Sequence, residues 1–343
     1  MALITGILPV LLFLIGLLLM DSYKLVPRRD LLISFVAGAL AAGISFGVHA
    51  FAIRVLHVDP EWIRRGVAPV LEETLKAVLV VTFIRREKVG FLVDAGIHGF
   101  AVGTGFAVVE NLYYASTLGS TSWMLWLVRG LGTAILHGST TAVIGILSKA
   151  LTERKASLGL IWFLPGFAIA VAVHALYNHV IVNPLIATAA LLIAMPLLIV
   201  AVYESSERAT RNWLGVGLDS DVERLELLMS GEERHTPIGE YLEALRHRFS
   251  GPVLADLLCL LRIHLELSMR AKGVLIARAA GVDLPLDPEV RANLKELRYL
   301  EHSVGPTGRL AMMPLLRTSS RDLWQIYMLE RGQREPAAPA GVG

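Results

Sequence analysis

At 343 residues, 54% hydrophobic and only 18% charged, the chain is too apolar for a soluble globular protein, where charged residues make up about 25%. A net charge of +2 with no Lys/Arg stripe interleaved with aromatics offers no nucleic-acid surface. The single cysteine, Cys259, excludes both a disulfide framework and a cysteine-based zinc site.

The long apolar runs fall within residues 1–203, and ordinary soluble character begins at Glu204. This predicts an all-α chain: a polytopic membrane helix bundle of about seven spans over 1–203, then a C-terminal cytoplasmic helical domain over 204–330, with 331–343 a disordered tail. The first run, 3–20, lacks a preceding basic residue and a closing small-x-small cleavage site, so it is read as a retained helix. Spans at 31–54 and 67–84 follow, the latter carrying Glu72, Glu73 and Lys76. The fourth, 91–116, holds Gly96, Gly99, Gly103 and Gly105, a spacing that lets helix backbones approach closely in lipid. Spans at 123–149, 158–182 and 184–203 complete the set, the last two parted at Asn183-Pro184.

In the tail, Asp287-Pro288-Glu289 reads as a helix start, followed at helical spacing by Val290, Leu294, Leu297 and Leu300. Ser319 to Asp322 resembles a capping box. Val253, Leu257, Leu260, Leu261, His264 and Leu267 form another stripe, on which His264 and nearby Cys259 read as core residues. Four to six helices are expected in this domain. The odd-numbered loops carry Lys24, Arg28, Arg29, Arg85, Arg86, Lys88, Lys149, Arg154 and Lys155, against Arg54, Arg64 and Arg65 in the even ones. The excess places the odd loops and the tail in the cytoplasm and the amino terminus outside.

An ionisable side chain at the centre of a bilayer costs about 2.5–3.5 kcal/mol on insertion scales, so such residues line cavities or pair with one another. At membrane depth the chain has Glu72, Glu73, Lys76, Asp94, His98, Glu110, Asn111, Arg129, His137, His174, Asn178 and His179. Histidines and carboxylates on four segments are material for acid/base or metal chemistry. Glu72 and Lys76 are four residues apart and can pair, as can His174 and Asn178. Glu72 and Glu73 point about 100° apart, so one faces the cavity while the other supports it. Lys76 is read as a structural counter-ion, Asp94 as interfacial, Arg129 as snorkelling to headgroups, and His98 and His179 as interhelical hydrogen-bonders.

The run Glu72-Glu-x-x-Lys76, Gly103-x-Gly-Phe-Ala-x-x-Glu-Asn111, His137 and His174-Ala-Leu-Tyr-Asn178, in this order on separate segments, resembles the PrsW family of intramembrane proteases. That family is related to the CAAX prenyl endopeptidases, whose Phe-x-x-x-His is here Phe106 followed by Glu110, a departure that argues against prenyl-cysteine substrates. The resemblance covers about residues 20–203. It implies catalytic Glu72, Glu73, His137, His174, Asn178 and Glu110, with Lys76 and Asn111 in support. Glu72 is the expected base on a water, His137 or His174 assists it or protonates the leaving amine, and Asn178 stabilises the oxyanion. Glu110 serves as a second acid/base or orients a histidine. A metal-free glutamate mechanism with no cofactor is preferred, with zinc on His137, His174 and a glutamate as the alternative. The implied partner is a membrane-anchored protein such as an anti-sigma factor, and membrane lipid surrounds the bundle. His-Glu-x-x-His and Gly-x-Gly-Asp are absent. A proton- or ion-coupled transporter and an inactive membrane scaffold stand as rival readings.

Overall fold

In the computed structural model, which describes residues 2–21, 23–118, 122–155, 158–230, 237–282, 284, 287–316 and 320–332, every regular element is a helix. They are α1 (Ala2–Met20), α2 (Arg28–Arg54), the single turn α3 (Pro60–Trp62), α4 (Ala68–Arg85), α5 (Leu92–Leu118), α6 (Trp123–Leu127), α7 (Ala134–Lys155), α8 (Leu164–Asn178) and α9 (Pro184–Ser230). Beyond these lie α10 (Pro237–Arg246), α11 (Gly251–Ala279), α12 (Pro288–Ser303), α13 (Gly305–Leu316) and α14 (Ser320–Gly332). The chain forms two compact units, Met1–Glu207 and Arg208–Gly343, whose boundary falls inside α9. Helix geometry does not require lipid, so the composition shift at Glu204 leaves no break in α9.

Among the described residues, five stretches are long and apolar enough to cross a membrane: Arg28–Arg54, Leu92–Thr117, Trp123–Arg154, Leu160–Asn178 and Pro184–Ser230. Of the other two expected spans, Ile4–Met20 is shorter, and α4 is burdened by Glu72, Glu73, Lys76 and Arg85. The sixth span ends four residues before its predicted end. Helix α8 stops at Asn178, Val180 takes a left-handed φ of 53°, and Asn183 Oδ1 caps α9 by accepting from Leu185 N at 2.9 Å.

The first unit is built around α5 and α7, which make its most extensive helix–helix contact. Glycine sets their separation. A Cβ on Gly99 would lie 2.4 Å from the Thr141 carbonyl oxygen, and one on Gly103 only 2.0 Å from that of His137. One turn further, Gly145 of α7 faces the Ala95 carbonyl in the same way. Steps of four residues run in opposite directions along the two helices, so an antiparallel pair meets backbone to backbone at each turn. Gly105 turns the other way, towards the Phe35 carbonyl of α2, and Gly38 of α2 meets the Val102 carbonyl. The expected packing face is therefore present, and it sits directly on the His137 backbone.

Asp94, in the first turn of α5, is buried within the unit. Its carboxylate accepts from Gly90 N and Phe91 N, each at 2.7 Å, and from Ala95 N at 3.1 Å, satisfying orphan donors where α5 begins. His98 Nδ1 pairs with Ser34 Oγ at 2.8 Å, an interhelical bond to α2.

In the second unit α11 is central and packs against α10, α12, α13 and α14. Asp287 caps α12 through Glu289 N at 3.0 Å, and Val290, Leu294, Leu297 and Leu300 are its buried residues. Lys272 of α11 is buried beside Asp221, Ser268 and the Trp213 ring, so the core includes a fully paired cation. Cys259, predicted to be a core residue, is exposed: it lies on the outward face of α11, whereas Leu257, Leu260 and Leu261 point inward. His264 is half-buried. Of the predicted tail, Arg331 and Gly332 end α14 and the rest lies outside the described residues, as does Ser319 of the predicted capping box.

Candidate active site

Glu73 of α4 is fully buried, and its Oε1 collects three donors from three helices. Lys76 Nζ reaches it at 2.7 Å, Thr140 Oγ1 of α7 at 3.0 Å and His174 Nδ1 of α8 at 2.8 Å. Lys76 therefore pairs with Glu73, three residues away, and not with Glu72 as the four-residue spacing had suggested. The second oxygen, Oε2, is buried without a partner. Thr140 had no signal in the sequence beyond its place one turn after His137.

These bonds fix the imidazole tautomers. An ammonium only donates, so Lys76 Nζ, 3.2 Å from His137 Nδ1, makes that nitrogen an acceptor and leaves the ring hydrogen on Nε2. Nε2 in turn lies 3.0 Å from Glu110 Oε2. His174 donates from Nδ1 to Glu73, which leaves the lone pair of its Nε2 facing Glu72 Oε2 at 3.8 Å. The two rings meet edge to face, with centroids 5.1 Å apart.

Glu110 of α5 is held on its other side. Arg129 Nη2 lies 3.1 Å from Glu110 Oε2, and Arg129 Nε donates to Asn111 Oδ1 at 2.9 Å. The guanidinium stacks 3.8 Å above the Tyr114 ring, and Asn111 Nδ2 donates to the Gly6 carbonyl of α1 at 2.7 Å. Arg129, expected to snorkel outward, thus points into the unit. The cause is local: residues Val128–Thr133 form a π-helical turn, which changes the direction of the side chains it carries.

A second π-helical turn, Ile63–Val67, leads into α4. Its Arg64 is clasped to the end of α8: Arg64 Nη1 donates to the Asn178 carbonyl at 2.9 Å, and Asn178 Nδ2 donates to the Arg64 carbonyl at 3.1 Å. Asn178, expected at an oxyanion, therefore commits one amide hydrogen to the backbone and keeps the other. The clasp fixes the approach to Glu72 and Glu73 relative to His174.

Three carboxylates and two permanent cations meet here. Lys76 is paired with Glu73 and Arg129 with Glu110, so Glu72, itself buried, makes no ion pair with a Lys or Arg among the described residues. A buried carboxylate of that kind holds either a proton or another cation. Glu72, His137 and His174 each offer one ligand atom, and these atoms lie within 4.8 Å of one another. Two imidazoles and a carboxylate are a donor set that suits zinc. Glu73 behind His174 supplies the carboxylate–histidine support such ligands use.

A family model described as PrsW family intramembrane metalloprotease matches residues 26–202 of the chain. No curated protein and no solved structure matches it.

Proposed function

The chain belongs to the PrsW family of intramembrane metalloproteases, and from that membership we propose that it hydrolyses a peptide bond of a membrane-anchored protein at Glu72, His137 and His174. We further propose that these three residues hold zinc. The observation that carries the reading is their convergence from α4, α7 and α8 to within 4.8 Å. When bound, zinc would make the attacking water acidic near neutral pH and polarise the substrate carbonyl.

The chain's own residues supply the rest. Glu73 holds Nδ1–H of His174 and so keeps the Nε2 lone pair directed at Glu72. Lys76 neutralises Glu73, which is therefore a support rather than a second base. Glu110, held by Arg129 and 3.0 Å from His137 Nε2, is placed to take the proton of the water and deliver it to the leaving amine. The free amide hydrogen of Asn178 serves the oxyanion.

A metal-free reading has its own support, because both nitrogens of His137 are already engaged and Glu72 stands beside an unprotonated His174 Nε2. There Glu72 is the base. Chelation separates the two. Purified chain treated with a chelator should stop cleaving a single-span membrane substrate and recover when zinc is restored. Unchanged turnover in protein shown to be metal-free would leave the glutamate mechanism.

The substrate class follows from membership in the family: a single-span membrane protein, an anti-sigma factor being the kind implied, cut near the membrane. For topology we propose an external amino terminus and a cytoplasmic second unit. Cys259, the single cysteine, is exposed there and reports on it. An impermeant maleimide should label the chain in inverted vesicles and spare it in intact cells; the opposite pattern would reverse the topology.

A further inference from the structure

The constellation predicted from sequence omitted α2, yet one face of that helix borders the site. Helices α2 and α4 are joined through residues 55–67, so Arg54 and Ala68 lie at the same end of the bundle. His49 is five residues before the end of α2, and Glu72 four residues after the start of α4. At 1.5 Å per residue both sit roughly 6–8 Å in from that end. His174 lies four residues before the end of α8, which Arg64 clasps at the same end.

The direction of His49 follows from its neighbours. Ser45, one turn earlier on the same face, is fully buried and approaches Glu72. Phe46 stacks on Tyr113 of α5 and packs with Phe106 and Leu75. His49 lies within electrostatic reach of Glu110. Its Nε2 is buried and makes no hydrogen bond. A buried imidazole nitrogen without a partner is unfavourable unless a ligand completes it. His49 is absent from the group whose ligand atoms lie within 4.8 Å, so it is not part of the proposed metal shell.

We propose that His49 is a further catalytic residue, donating a hydrogen bond from Nε2 to the carbonyl oxygen of the scissile peptide. Asn178 has one amide hydrogen already committed, and His49 provides a second donor from α2. As water adds to the carbonyl carbon, the π pair moves onto oxygen, and Nε2–H bonds that oxyanion without transferring its proton. The C–N bond then breaks and the amine leaves with the proton that the water gave up. One such donor is worth about 10²–10³ in kcat.

This inference rests on the proposed function, and the test keeps the two apart. Full-length His49→Phe, His49→Gln and Glu72→Gln would be assayed on a single-span membrane substrate that the unaltered chain cleaves, with melting temperature and zinc content measured alongside. His49→Phe should lower kcat about 100-fold with KM within about threefold, and His49→Gln, which keeps an N–H, should recover at least tenfold of that loss. Melting and zinc content should not change. Unaltered kcat in His49→Phe would overturn the proposal. So would a change confined to KM, or equal losses in both variants with a lower melting temperature or less zinc. Cleavage by Glu72→Gln at the unaltered rate would instead overturn the assignment of the reaction centre.

Discussion

Glu72→Gln is expected to abolish cleavage while leaving the fold intact, and Glu73→Gln to damage both. The two residues are adjacent, but their surroundings are opposite. Among the described residues Glu72 makes no ion pair with a Lys or Arg, so a neutral amide of the same shape should leave the melting temperature within about 2 °C. In its proposed role, as ligand or as base, it acts in the transition state, and its loss should lower kcat/KM at least ~1,000-fold, or about 4 kcal/mol. Glu73 accepts from Lys76, Thr140 and His174 at once. Removing its charge leaves Lys76 buried beside a neutral group, a change of about 3–5 kcal/mol in stability for a broken buried pair. Thermal melts and cleavage rates of the two variants in one detergent check the contrast. Equal melting temperatures would contradict the assignment of Glu73 as the structural partner.

The second large effect needs no ionisable residue. Gly103→Ala should reduce cleavage about 100-fold and destabilise the protein by about 1–3 kcal/mol. The added Cβ would lie 2.0 Å from the His137 carbonyl oxygen and 2.5 Å from Gly138 Cα. Both are backbone atoms and cannot rotate away, so α5 and α7 must separate at the residue whose ring bridges Lys76 and Glu110. Gly43→Ala, where nothing lies within 4 Å, is the matched control and should behave as the unaltered chain. An active, stable Gly103→Ala would mean that the seam tolerates separation.

Hydropathy located the helices because α5 and α7 are long apolar runs, and helical spacing found the buried stripe of α12 outright. The titratable residues on α4, α5, α7 and α8 were legible because charge inside an apolar run is costly and therefore conspicuous. Partner choice was not legible. Lys76 can reach either glutamate from its position, and only the placement of Thr140 and His174 around Glu73 decides which. Arg129 was misread because a π-helical turn breaks the periodicity from which its direction was inferred. His49 was overlooked because a single histidine in an otherwise apolar helix carries no spacing signal. Cys259 was misplaced because four leucines around it hide which face of α11 points inward.

The three donors on Glu73 also bear on how the protein comes to be inserted. Helix α4 falls outside the stretches apolar enough to cross a membrane unaided. Thr140 and His174, which complete its carboxylate, lie 67 and 101 residues further along the chain. While the chain is being made, α4 therefore reaches the translocation machinery with only its own Lys76 to answer Glu73. Its residence in the bilayer becomes stable only as α7 and α8 arrive. Biogenesis and the assembly of the reaction centre are then a single late event, and a nascent chain that has not reached His174 has neither a settled topology nor a protease.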